Sequence, residues 1–184
     1  MKICCYGDSN TWGYDPRSPL GEQLPAPWPE QLSKLLGCKW ENWGSCGRCI
    51  PHLSQSFTLL QNALLKSAPD KLIILLGTND ILTMEPPRAE QAAFQMENLI
   101  RFLKEQLPEL PILLLSPPKI RIPGEELQKA MKELPAHYRR IAQSYGLSFL
   151  DLQALSLPLA YDGVHLSQEG HRLLAQALAV FLSK

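Results

Sequence analysis

KLIILLGTND, running from Lys71 to Asp80, opens on a lysine, continues through five apolar residues and closes on a glycine and three polar side chains. A strand with one wet face alternates apolar and polar residues, whereas a strand covered on both faces does not. Lys71–Leu76 therefore reads as a buried strand of a parallel sheet, with Gly77 as the point where the chain turns out. Four similar runs occur elsewhere, at Lys2–Tyr6, Cys38–Trp43, Pro111–Ser116 and Leu147–Leu150. Helical patterns fill the intervals. Trp28–Leu36 carries Pro29 in its first turn, where proline is tolerated. His52–Ser67 puts Leu53, Phe57, Leu60 and Leu64 on one face. Arg88–Leu107 repeats Ala92, Met96, Leu99, Phe102 and Leu103 at helical spacing. Glu125–Tyr145 contains Pro135, which predicts a kink or break. A last helix follows Leu166, with Ser167 as its N-cap. Strict strand–helix alternation implies right-handed crossovers and helices on both faces of one parallel sheet. The reading is an α/β fold in a single domain spanning residues 1–184.

Bulk composition narrows the function classes. The chain has 184 residues, of which 45% are hydrophobic and 20% charged, the balance of a globular protein. Eighteen basic residues meet eighteen acidic ones, and the longest basic cluster is Lys119-Ile120-Arg121. Neither a nucleic acid nor an anionic membrane is an expected partner. No run reaches the roughly 18 apolar residues of a membrane helix. Met1-Lys2 leads straight into the first strand, so no signal peptide is expected and the cytoplasm is the expected location. Five cysteines cannot all pair. Cys46-Gly47-Arg48-Cys49 has a spacing that serves zinc or redox sites, yet Cys4, Cys5 and Cys38 supply no second ligand pair. Small side chains in a tight loop are the preferred reading, and no metal or cofactor is expected.

In sheets of this kind, ligands bind at the carboxyl ends of the strands. Four polar, glycine-rich segments fall there: Gly7–Asn10, Asn42–Arg48, Gly77–Asp80 and Tyr161–His165. Together they hold the parts of an acyl-transfer site. Ser9 is the candidate nucleophile, and a serine needs a base within hydrogen-bond reach. His165 can take its proton and return it to the leaving group. Asp162 can hold the other imidazole nitrogen and stabilise the imidazolium. Backbone N–H groups of Ser9 and Gly47, with the Asn79 side-chain amide, can serve the oxyanion, each at about 3 kcal/mol.

This ordered set resembles the SGNH hydrolases, the GDSL-type esterase family. Gly7-Asp8-Ser9 is similar to the first block, with Asn10 where leucine is usual. Asn42 and Gly47 are similar to the second block, Gly77-Thr78-Asn79-Asp80 to the third, and Asp162-Gly163-Val164-His165 to the last. The resemblance implies a flavodoxin-like three-layer α/β/α sandwich whose five-stranded parallel sheet runs in the order 2-1-3-4-5. It implies Ser9, Asp162 and His165 as the triad, Ser9, Gly47 and Asn79 as the oxyanion hole, and no cofactor. Within the family, GDSNTWGY, LLGTND and LLLSPP resemble the small arylesterase and acyltransferase branch. That branch implies short acyl esters as small-molecule substrates and a homo-oligomer, although the stretch between the third strand and the last helix is compact here. Carbohydrate deacetylation and lysophospholipase or thioesterase activity belong to the same family.

Each residue also has a plainer reading. Ser9 could cap a helix; Asp8 reads as a brace for the turn and Asp80 as a brace for the Asn79 loop. His171 is the competing base and is expected on the exposed side of the last helix. His52 and His137 read as ordinary histidines. Trp12 and Trp43 are candidate walls of a substrate pocket or simply core, and Arg48 either meets substrate or is solvated. The loops Asp15–Trp28 and Pro117–Pro123 are expected to set substrate size. The rival function is a non-catalytic flavin or nucleotide module. Gly7–Thr11 offers only a partial phosphate cradle for it, and such a module has no use for Asp162 and His165 together.

Overall fold

The computed structural model describes Met1–Ser18 and Leu20–Ser183; Pro19, in the Asp15–Trp28 loop, and Lys184 lie outside the described residues. In strand β3 (Lys71–Leu75), Leu72 and Ile74 enter one apolar cluster, and Ile73 and Leu75 the other. Alternate side chains leave opposite faces of a strand, so an unbroken apolar run must feed two cores at once. The flanking strands are β1 (Lys2–Gly7), β2 (Lys39–Gly44), β4 (Ile112–Leu115) and β5 (Ser148–Leu150). All pair in parallel, in the order β2-β1-β3-β4-β5. The expected fold class and strand order are those observed, and strand ends move by a residue.

One core lies between the sheet and helices α3 (Ser54–Ser67), α5 (Ala89–Gln106) and α6 (Glu125–Tyr145). The other lies beneath α2 (Trp28–Leu36) and α7 (Gln168–Leu182). Two short helices, α1 (Ser9–Trp12) and α4 (Thr78–Thr83), start directly after β1 and β3. Neither shows in the periodicity of the sequence, because four and six residues are too few to carry it. Among the described residues, no helix is long and apolar enough to cross a membrane.

Helix α6 is not broken at Pro135 and runs on through it. A proline inside a helix leaves the carbonyl four residues earlier without its donor. That carbonyl belongs to Met131, and the Gln153 side-chain amide donates to it at 2.7 Å. Gln153 comes from the turn after β5, so tertiary contact replaces the missing bond.

Register places the chemistry. Gly7 pairs with Gly44 on one side and Leu75 on the other, Leu75 with Leu115, and Leu115 with Leu150. The carboxyl ends of all five strands therefore line up, and their loops leave from one rim. The chain moves to opposite sides of β1 to form β2 and β3, so the crevice of the sheet opens beside Ser9.

Candidate active site

Ser9 begins α1, the turn that leaves β1. Asp8 is its N-cap, and the Asp8 Oδ1 accepts the Asn10 N–H at 2.9 Å. Burial pushes the Asp8 carboxyl up to about 7; the Asn10 N–H pulls it down, and nearby Asp80 raises it further. The expected brace is present, and it sits beneath the serine.

The serine hydroxyl faces the loop before α7. Ser9 Oγ lies 3.0 Å from His165 Nε2, and His165 Nδ1 lies 2.5 Å from Asp162 Oδ2. The other Asp162 oxygen accepts the backbone N–H groups of Val164 at 3.0 Å and His165 at 3.1 Å. Partial burial raises this carboxyl, but the hydrogen bonds from His165 and the two backbone N–H groups outweigh it and hold the carboxyl below its ordinary value. An ionised carboxylate only accepts hydrogen bonds, so Nδ1 must carry the imidazole proton. In the neutral imidazole, Nε2 is then the nitrogen without a proton, and it faces the serine hydroxyl, as a base requires. The Tyr14 ring packs on the imidazole with centroids 4.7 Å apart.

The candidate oxyanion donors lie in the segments that follow β1, β2 and β3. Among the described residues no hydrogen bond engages the N–H of Ser9 or of Gly47. Gly47 has φ +73° and open space where a side chain would stand, whereas a Cβ on Gly44 would lie 2.1 Å from the Trp12 nitrogen. Gly44 is thus a close-packing glycine, and Gly47 is the one free to present its N–H. The Asn79 amide donates to the Arg48 carbonyl at 3.0 Å, which fixes its orientation and leaves its second N–H available. Asn42 ties this loop to α1, donating to the Thr11 carbonyl at 3.0 Å and accepting the Gly44 N–H at 2.9 Å.

Several residues differ from expectation. His171 is not exposed: it is 1% accessible, and its Nδ1 accepts the Trp28 N–H at 3.1 Å. Pro27 precedes α2 without a side-chain cap, and His171 supplies the acceptor that this helix start lacks. Desolvation drives its pKa down to about 4, aided by nearby His165. Arg48 is half-buried and tied to the backbone. Its guanidinium donates to the Gly7 carbonyl at 3.0 Å and to the Trp43 carbonyl, and stands 4.5 Å over the Tyr6 ring. It adds a donor to carbonyls at the ends of β1 and β2, of which that of Gly7 also accepts the Ser45 N–H at 3.1 Å. Trp43 packs against the α3–α5–α6 core and so takes the core reading. Trp12 is half-buried, and its carbonyl accepts the side-chain amides of Gln23 and Asn42. Asp80 is a brace, but for a different loop: both its oxygens accept the Ile50 N–H, at 3.1 and 3.2 Å. Cys46 and Cys49 are free thiols, as are the other three cysteines.

Sequence reasoning missed the residues that grip the Asp162–His165 loop. Gly163 has φ +72°, and its carbonyl accepts the Arg121 N–H at 2.7 Å, so the Pro117–Pro123 loop supports this loop from one side. Tyr161 Oη donates to the Pro16 carbonyl at 2.7 Å, joining it to the Asp15–Trp28 loop. Only Gly163, inside a polar loop, carried a sequence signal. A cavity of about 640 Å³ lined by Leu64, Ala68, Leu107 and Pro111 lies before β3 and β4, at the opposite end of the sheet.

A parallel α/β/α sandwich with a serine, an imidazole and a carboxylate in sequence at its carboxyl rim defines a class of ester hydrolases. The family comparison agrees: residues 5–173 match the GDSL-like Lipase/Acylhydrolase family, and the chain belongs to it as a carboxylic ester hydrolase. Solved structures match across the chain. A protein of Agrobacterium tumefaciens assigned as an arylesterase is 28% identical, with a TM-score of 0.84 over 100% of this chain and 98% of its own. A carbohydrate acetylesterase family member from Sinorhizobium meliloti is 25% identical, with a TM-score of 0.83 over 99% and 97%. The aryl esterase of M. smegmatis, 24% identical with a TM-score of 0.84 over 100% and 98%, shares the fold. Comparison with curated protein sequences finds no match.

Proposed function

We propose that this chain hydrolyses esters of small acyl groups, acetyl esters first among them, with Ser9 as nucleophile. The observation that carries the proposal is the continuous chain from Ser9 Oγ through His165 to Asp162, with spacings of 3.0 and 2.5 Å. Ser9 Oγ attacks the ester carbonyl carbon while its proton passes to His165 Nε2. The carbonyl oxygen becomes an oxyanion that accepts from the Ser9 and Gly47 N–H groups and the Asn79 amide. Collapse of this adduct breaks the bond to the alcohol oxygen, which takes the proton from His165 and leaves. Water repeats the sequence on the acyl-serine, releasing the acid and restoring Ser9. Asp162 stays ionised throughout and holds the imidazolium while it exists.

Release of p-nitrophenol from p-nitrophenyl acetate tests the reading. Ser9→Ala should lower kcat by roughly 10³- to 10⁶-fold; turnover at the wild-type rate would sink it. A panel of acyl lengths and acetylated sugars then sorts simple esters from carbohydrate acetates, the class named for the Sinorhizobium meliloti neighbour. Five free thiols fit a reducing compartment, which supports the cytoplasm as the site of action.

A further inference from the structure

We infer that Asn10 is a positioning residue for the base: its side chain clamps the backbone on both sides of His165 and so sets the distance from His165 to Ser9. The inference rests on the serine-hydrolase reading and adds a part that the triad and oxyanion donors do not contain. Asn10 is 2% exposed, deep beneath the site. Its Nδ2 donates to the Val164 carbonyl at 3.3 Å, and its Oδ1 accepts the Leu166 N–H at 2.7 Å. Those two groups flank His165 along the chain. The remaining backbone groups of His165 are also held: its N–H donates to Asp162 Oδ1 at 3.1 Å, and its carbonyl accepts the Ala160 N–H at 2.7 Å. The amide thus acts as a short piece of strand laid beside residues 164 to 166, offering a donor and an acceptor in register.

The placement is what makes the clamp functional. Asn10 follows Ser9 directly in α1, and its own N–H is tied to Asp8 Oδ1 at 2.9 Å. One rigid turn therefore holds the nucleophile with its backbone and the base with its side chain. A leucine, the residue usual at this point of the family's first block, offers neither donor nor acceptor. In this chain the link between the first and last loops is made by hydrogen bonds instead.

Diisopropyl fluorophosphate tests both layers, because it transfers its phosphoryl group to an activated serine with loss of fluoride. Intact mass and peptide mapping of the labelled protein count the competent sites. Wild type should label at Ser9, and kcat for p-nitrophenyl acetate is then expressed per labelled site. Asn10→Ala should fall about 10²-fold in kcat per site with KM within about twofold, the signature of misplaced groups rather than lost binding. Asn10→Asp keeps the shape and covers the case where the alanine variant does not fold. Its protonated carboxyl can still donate to Val164 and accept from Leu166. Once ionised it loses the donor and faces the Val164 carbonyl with a charge, and burial delays that ionisation. The ratio of Asn10→Asp to wild-type kcat should therefore fall as pH rises. A ratio near one at every pH would overturn the clamp while leaving the triad intact. Wild type that takes no label at Ser9 would overturn the serine reading, and the clamp's role with it.

Discussion

Gly163 sits between Asp162 and the base, with φ +72°, and a Cβ there would stand 2.4 Å from the Arg121 carbonyl oxygen. Left-handed backbone and a close approach coincide at this position, and each alone favours glycine. Gly163→Ala must either strain the turn or push away the Pro117–Pro123 loop. Both moves shift Asp162 and His165 relative to Ser9. We expect a stability loss of about 1–3 kcal/mol and a drop in kcat of about 10- to 100-fold. Urea unfolding and kcat per phosphorylated site measure the two; wild-type values in both would refute the argument. Asp162 and His165 were legible because their chemistry is rare and their spacing short. Tyr14 and Asn10 were not, because each acts through a neighbour that the sequence does not place beside it.

At the scale of an element, α6 shows how a local rule is met by a distant residue. Propensity predicts a kink or break at Pro135, and the helix continues there with Gln153 donating to the Met131 carbonyl. Removing that donor leaves a carbonyl of a buried residue unpaired. Gln153→Ala should therefore cost about 1–3 kcal/mol. Pro135→Ala restores a backbone N–H at that turn, so the Gln153→Ala penalty should shrink in its presence. A double-mutant cycle by urea unfolding measures the difference. Additive effects would mean that Gln153 serves another purpose. The strands posed no such problem: their apolar runs were long enough to be read, and only their end residues moved.

Across the whole molecule, two buried groups titrate in opposite directions. His171, between α2 and α7, has a folded pKa of about 4 against an ordinary 6.5. Folding there is favoured above pH 6.5, and the stability is lost as pH falls through 4. Asp8, beneath the site, has a folded pKa of about 7 against 3.8. Its contribution is present below pH 3.8 and is lost as pH rises through 7. The two slopes oppose each other between about pH 4 and 6.5, so their sum is shallow across that window. His171→Gln keeps an acceptor for the Trp28 N–H but removes one slope. Its stability relative to wild type should fall by about 3 kcal/mol between pH 4 and 6.5. Urea midpoints at half-unit steps of pH check this; a difference independent of pH would mean that His171 titrates normally.

The sequence by itself determined the parallel sheet, its layers and the residue types of the site. Those follow from local pattern: an unbroken apolar run needs two cores, and a glycine-rich turn after a strand needs the rim. It also marked Ser9, Asp162 and His165 as candidates for one reaction, because that reaction needs few residue types. Only tertiary structure decided what the ambiguous side chains do. Arg48, with equal claims to substrate and solvent, found carbonyls at two strand ends; His171, placed outside by its spacing, found an uncapped helix start across the core. Helical spacing could not distinguish a solvated face from one packed against another helix.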